Sequence, residues 1–144
     1  MSYMKREYVY RIMCEADIPA ALILWQSIDG LVLDHADEPP ALMMFLARNP
    51  DLSEVVLDGE QLVATLLCGE DGRRATLYHL CVAESHRGQG IAKHLLQRAE
   101  VTLRQRGIRK MRLLVLGSNI TGNHFWCQQG WQQQTSLNYF SKSL

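Results

Sequence analysis

The sequence predicts a mixed α/β domain, an α+β arrangement in which helices flank one central sheet. Three observations carry the prediction. Strand-like and helix-like segments follow one another in the order β-αα-βββ-α-β-α-β. An Asp58-Gly59 pair between two apolar runs signals a tight hairpin. A long segment from Ile91 repeats apolar residues in four-residue steps, as a helix against a core does. The 144 residues suit a single domain spanning 1–144, on the usual scale of about 100–200 residues each. With 47% hydrophobic and 21% charged residues, the composition is that of a globular chain and argues against disorder, collagen-like repeats and membrane spans.

Residues 8–13 read as the first strand. Asp17 is a candidate N-cap, with Pro19 in the first turn, for a helix through Ile18, Ala21, Leu22 and Trp25 that Asp29-Gly30 closes. An acidic loop, 34–38, leads to Pro39-Pro40, which opens a second helix bearing Leu42, Met43, Phe45 and Leu46; Asn49-Pro50 ends it. Strands at 54–57 and 61–67 flank the hairpin turn, and a turn at 69–72 leads into a strand at 75–82. A glycine-rich turn at 86–90 feeds the long helix, whose Ile91, Leu95, Ala99 and Leu103 share a face with Ala92 and Leu96 beside them; Gly107 caps it. An apolar strand at 111–116 follows, then a short helix capped by Asn119 and running to Gln129. The stretch 131–139 reads as a closing strand or hairpin.

Net charge is zero, but it is unevenly spread. Residues 1–71 hold four basic and thirteen acidic side chains, a balance of −9, and residues 72–144 hold eleven basic and two acidic ones, +9. The split suggests two differently charged working surfaces, or two solvated charge sets that interleave in space. Cys14, Cys68, Cys81 and Cys127 form no CxxC pair, which argues against a metal site and dithiol redox chemistry; Cys68 and Cys81 lie in apolar runs and read as small core residues. The N-terminal Met1 to Glu7 lack the apolar stretch of a signal peptide, so a reduced, cytoplasmic setting is expected.

The informative stretch is 77–92, where an apolar strand runs into glycines and these into a helix N-terminus. Glycines let the backbone approach a ligand, and unpaired first-turn N–H groups with the helix dipole favour negative charge. Arg87 and Lys93 add positive charge at the same end, so a phosphate or pyrophosphate is the expected ligand; the alternative is an ordinary strand–turn–helix connection. A Walker loop needs Gly-Lys-Ser/Thr after the turn, where this chain has Ile91-Ala92-Lys93. A dinucleotide fingerprint needs glycine where Lys93 stands.

Arg87-Gly88-Gln89-Gly90-Ile91-Ala92 resembles the R/Q-x-x-G-x-G/A motif of the GNAT superfamily of acyl-CoA-dependent N-acyltransferases. Leu80-Cys81-Val82 is similar to that family's L-x-V strand end, and residues 119–131 resemble its N-x-x-A-x-x-F-Y-x-x-x-G-F segment. The element order agrees over essentially the whole chain. The resemblance implies a GNAT-like fold and an N-acetyltransferase that moves an acetyl group from acetyl-CoA to a primary amine by direct attack on the thioester, with no metal. It implies that the pyrophosphate rests on the backbone amides of residues 87–92 and that the pantetheine arm pairs with the backbone at Leu80, Cys81 and Val82 as an added strand. It places Asn119 against the cofactor and Trp126 near its sulfur, although Asn119 equally reads as a plain N-cap and Phe125 and Trp131 as packing residues.

Acyl transfer to an amine needs a base, a donor for the developing oxyanion and an exit for the thiolate. The donor can be the backbone N–H of Cys81 or Val82. Relatives with a carboxylate just before L-x-V match His79 here; an imidazole, with an ordinary pKa of ~6.5, accepts a proton at neutral pH, though a lone strand histidine is also read as packed. Leu114 stands where relatives that acetylate protein N-termini place a glutamate. Trp126 stands where many members place a tyrosine, and an indole N–H is no proton source. An alkyl thiol of pKa ~8.5 leaves without one. Cys127 should face away from Trp126, and Tyr139 is a free-standing candidate acid. Asp29, Asp34, Asp37 and Glu38 can attract a cationic acceptor (polyamine-like, aminoglycoside-like or a lysine side chain) or merely solvate a loop. A different class of reading is a CoA-binding sensor without turnover. A nucleic-acid role for Arg104, Arg106, Arg109, Lys110 and Arg112 fails on neutral net charge, and no membrane partner is indicated. Homodimers are common among the proteins it resembles.

Overall fold

Five strands form one sheet in sequential order, β1-β2-β3-β4-β5. β1 (Val9–Ile12), β2 (Glu54–Asp58), β3 (Gln61–Glu70) and β4 (Ala75–Val82) pair antiparallel, and β5 (Met111–Arg112) adds in parallel to β4. Helices α1 (Ile18–Gln26) and α2 (Pro39–Arg48) precede β2 in the chain, α3 (Ile91–Gln105) links β4 to β5, and α4 (Ile120–Gln128) follows. The structure, a computed structural model, describes residues 7–144. Residues 1–6, which carry most of the segment read as lacking a signal peptide, lie outside the described residues.

The chain divides into two compact units, 1–114 with the sheet and α1–α3, and 115–144 with α4. In the first, β3 is the centre: residues 63–69 are buried one after another, so both faces of the strand are covered. Trp25 of α1 is fully buried and packs with Leu24, Leu42, Val55, Leu67 and Cys81. The hairpin forms where expected, with Asp58 opposite Gln61 and Gly59 left-handed at φ 60°. The four-residue steps of α3 bury Ile91, Leu95, Ala99 and Leu103, with Leu96. Its end closes on Gly107 (φ 81°), whose N–H donates to the Arg104 carbonyl at 3.0 Å while Ile108 N–H reaches back to Leu103, also at 3.0 Å.

Three expectations change. Asp17 stands at the N-cap of α1, but its carboxylate makes no bond to the helix. It accepts two hydrogen bonds from Arg11 at 2.7 Å and one from Cys14 N–H at 2.9 Å, since a bidentate charged pair is stronger than a neutral cap. The strand expected at 111–116 ends after Arg112, its pairing confined to Ala75↔Met111 and Thr76↔Arg112. The closing strand expected at 131–139 is absent. Between Trp131 and Leu137 the chain reads Gln-Gln-Gln-Thr-Ser, with no alternating apolar face to bury, and no strand lies among residues 113–144 for it to pair with. No helix of the described residues is long and apolar enough to cross a membrane.

Candidate active site

The sheet is interrupted at the residue singled out as a base. Leu67 pairs with Tyr78 but Thr65 with Cys81, so β4 carries one residue more than β3 in that interval. His79 takes up the excess at φ 47°, a left-handed conformation that costs a non-glycine residue about 1–2 kcal/mol. Several contacts hold it there. Trp25 Nε1–H donates to Thr65 Oγ1 at 2.8 Å, and Thr65 Oγ1–H donates to the His79 carbonyl at 2.8 Å. The imidazole packs on the Trp25 ring with centroids 4.6 Å apart, and its Nε2 lies 2.6 Å from Asp37 Oδ1. Asp37, 9% exposed, sits in the single helical turn His35–Asp37 before α2, and its Oδ2 accepts the Asp34 N–H at 3.1 Å.

Beyond Thr76 the far edge of β4 has no strand beside it among the described residues. Ala83 N–H donates to the Val63 carbonyl across β3 at 2.8 Å, so strand alternation turns the N–H and C=O of Val82 to the open edge. Cys81, opposite Thr65, faces β3 with its backbone. The Val82 carbonyl accepts a hydrogen bond from Arg87 Nε–H at 3.2 Å.

The turn into α3 is fastened from below. His86, 5% exposed, puts Nε2 at 2.8 Å from Asp58 Oδ2 and Nδ1 at 2.7 Å from Ser85 Oγ, and Tyr8 lies edge-on to its ring at 5.9 Å. The Tyr8 hydroxyl also donates to Gln89 Oε1. Gly88 and Gly90 are left-handed, φ 75° and 78°, and Gly90 is the N-cap of α3 with no side-chain cap. The first helical bond is His94 N–H to the Gly90 carbonyl at 3.0 Å, which leaves the amides of Ile91, Ala92 and Lys93 unpaired. A Cβ on either glycine would meet nothing within 4 Å, so the turn presents an open face. Unpaired amides at the positive end of a 15-residue helix, beside Arg87 and Lys93, make an anion-binding surface. A cleft of about 470 Å³, lined by Ser27, Ile28, Glu84, Ser85 and Arg87, adjoins the turn.

A second cleft, about 500 Å³, lies over His79 and Asp37, with Val32, Leu42, Phe45 and Tyr78 among its lining. The first unit thus brings together Leu80, Cys81, Val82, residues 87–93 and His79 on one strand–turn–helix segment. Asn119, Trp126 and Tyr139 belong to the second unit. There Asn119 Oδ1 caps α4 by accepting the Gly122 N–H at 2.9 Å, and Trp126 is in edge contact with Phe125 (5.1 Å) and Trp131 (4.9 Å). Tyr139 is 71% exposed on an irregular segment, and Leu114, in the first unit, is also exposed. Asp37 and His86 are the site residues that sequence reasoning left without these roles. Their partners lie 42 and 28 residues away, and no spacing rule links them.

Cys68 and Cys81 are buried, as read from their apolar runs. Desolvation pushes the Cys68 thiol up to about 11 and the Cys81 thiol up to about 12. A raised pKa leaves the thiol protonated at about pH 8. Alkylation of the native protein there should label only the exposed Cys14 and Cys127, and all four cysteines after denaturation, as counted by mass spectrometry. Among the described residues, no group of three His, Cys, Asp or Glu side chains is placed to hold a metal.

The acetyltransferase (GNAT) family model matches residues 13–131. An acetyltransferase of Sodalis glossinidius is 30% identical over 93% of this chain and 94% of its own length. One of Pectobacterium atrosepticum is 34% identical over 76% of this chain and 77% of its own. Among solved structures, the fold is similar to that of PaiA N-acetyltransferase from Thermoplasma acidophilum in complex with coenzyme A, with a TM-score of 0.77 at 17% identity over 89% of this chain and 91% of that one.

Proposed function

The chain belongs to the GNAT acetyltransferase family, and from that premise we propose that it moves the acetyl group of acetyl-CoA to a primary amine by direct attack of the amine on the thioester. The observation that carries the reading is the arrangement on one segment: an open strand edge, a turn of unpaired amides and a histidine over a cleft.

Acetyl-CoA supplies the acyl group as an activated thioester. The Arg87 N–H expected to begin the pyrophosphate cradle at 87–92 is taken by the Glu84 carbonyl at 3.4 Å, so the amides of residues 88–93 would hold the group, with the Arg87 and Lys93 side chains supplying charge. The edge of β4 at 80–82 would pair with the amide groups of its pantetheine arm, and Arg87 would give up the Val82 carbonyl that it now holds. The Val82 N–H faces the same edge and is the donor placed to meet charge developing on the acyl oxygen. His79 takes the amine proton. In the neutral ring, Nε2–H donates to Asp37, which leaves Nδ1 as the accepting nitrogen. Asp37 fixes that tautomer and so acts as a positioning residue. Trp126 offers no transferable proton, and the thiolate departs on its own stability.

Calorimetric titration with acetyl-CoA, followed by thiol release across a panel of amines, tests the reading. Binding with amine-dependent release is the expected result. Binding without release from any amine would favour a CoA sensor, and no binding would overturn the assignment of the turn.

A further inference from the structure

The cleft over His79 runs along one stripe of α2: Ala41, Leu42, Met44, Phe45 and Arg48 line it at helical spacing. Its two ends differ in charge. Asp37 and His79 lie where α2 begins, and Arg48 is in its last turn. Between them the lining is apolar, with Phe45 and Tyr78 in edge contact at 5.9 Å. The ten residues of α2 put the ends roughly 15 Å apart along the helix axis. Asp34 Oδ1 holds the Ala36 N–H at 2.8 Å within its own turn, and Asp37 holds the Asp34 N–H there and His79 of β4. Arg48 forms no ion pair among the described residues. An amine therefore meets negative charge at the Asp37 end, and a carboxylate meets an unpaired guanidinium at the other.

We propose that the acceptor is an amine joined through an apolar segment to a carboxylate, the size of an apolar peptide of two to four residues, with its amine at His79 and its carboxylate on Arg48. An extended residue spans ~3.3–3.6 Å, so a single amino acid is too short to reach from one end to the other, and a short peptide is long enough once the flexible arginine reaches back. The role given to the amine rests on the transfer reading above; the role given to the carboxylate does not.

The test uses the full chain with coenzyme A present, titrated by calorimetry with the tripeptide Leu-Leu-Phe, with the same peptide as its C-terminal amide, and with spermidine. Thiol release from acetyl-CoA is measured in parallel with each. The free acid should bind about tenfold more tightly than the amide, the worth of one charged hydrogen-bonded pair. Arg48→Gln should remove that preference by weakening only the acid. Equal binding of acid and amide, a preference that survives Arg48→Gln, or tighter binding of spermidine would each overturn the proposal. Arg48-dependent binding of the acid without thiol release from any amine would overturn the transfer reading and leave the carboxylate assignment standing.

Discussion

Gly90→Val is expected to weaken coenzyme A binding at least tenfold, read by calorimetry. Gly90 is the N-cap of α3 at φ 78°, and a β-branched residue is strongly disfavoured there. The turn relieves that strain by rotating the peptide planes around it, which are the planes that aim the unpaired amides. A Cβ at this position meets no protein atom within 4 Å, so the added side chain enters the space open to a ligand. Strain and obstruction therefore act in the same direction. Gly107 provides the control, being left-handed at φ 81° at the other end of the same helix, also with no neighbour for a Cβ. Gly107→Val carries the same backbone penalty, so it should lower the melting temperature comparably and leave coenzyme A affinity unchanged. Affinity within a factor of two of the parent in Gly90→Val would show that this turn is not the pyrophosphate site.

The second large effect falls on turnover. His79→Gly should reduce kcat by about 10²–10⁴, the usual worth of a positioned base, while coenzyme A affinity stays within about twofold. Glycine is the informative replacement because it adopts the left-handed φ of 47° without cost and so preserves the bulge that the histidine now occupies under strain. Added imidazole should then restore part of the rate by occupying the space against Trp25 and Asp37. Asp37→Ala should give a smaller loss, because the ring keeps its place on Trp25 but loses the partner that selects its tautomer. A His79→Gly protein with unchanged kcat would exclude the histidine from the chemistry. Loss of coenzyme A binding in the same variant would instead show that the imidazole, packed on Trp25, serves to hold the cofactor edge of β4 and not to take a proton.

Much of the first unit was legible because its signals are local. The hairpin needs only Asp58-Gly59 between apolar runs, α3 needs only its four-residue steps and Gly107, and the anion turn needs glycines ahead of a helix. The bulge in β4 was not legible. It exists because Thr65 and Trp25, 14 and 54 residues from His79, hold a backbone conformation that no local preference supplies. The pairing of His79 with Asp37 is of the same kind, as is the anchoring of His86 to Asp58. At the C-terminal end, the aromatic and apolar residues at 131–139 resembled a strand. A strand, however, is defined by its neighbour as much as by its own residues, and the apolar run after Met111 stops pairing at Arg112. Trp126 shows a third situation: its position in a motif was readable, and its surroundings, an edge-contact cluster with Phe125 and Trp131, were not.

The open edge of β4 also bears on how the chain coexists with copies of itself. A row of unpaired N–H and C=O groups is a template for any extended segment, and long, flat edges of this kind nucleate aggregation. Here the run without a strand beside it is short, from Leu77 to Val82. A left-handed histidine breaks its straightness, and Arg87 keeps one of its carbonyls occupied. The features that leave backbone available to a narrow ligand thus deny a docking register to a full strand from a neighbouring molecule.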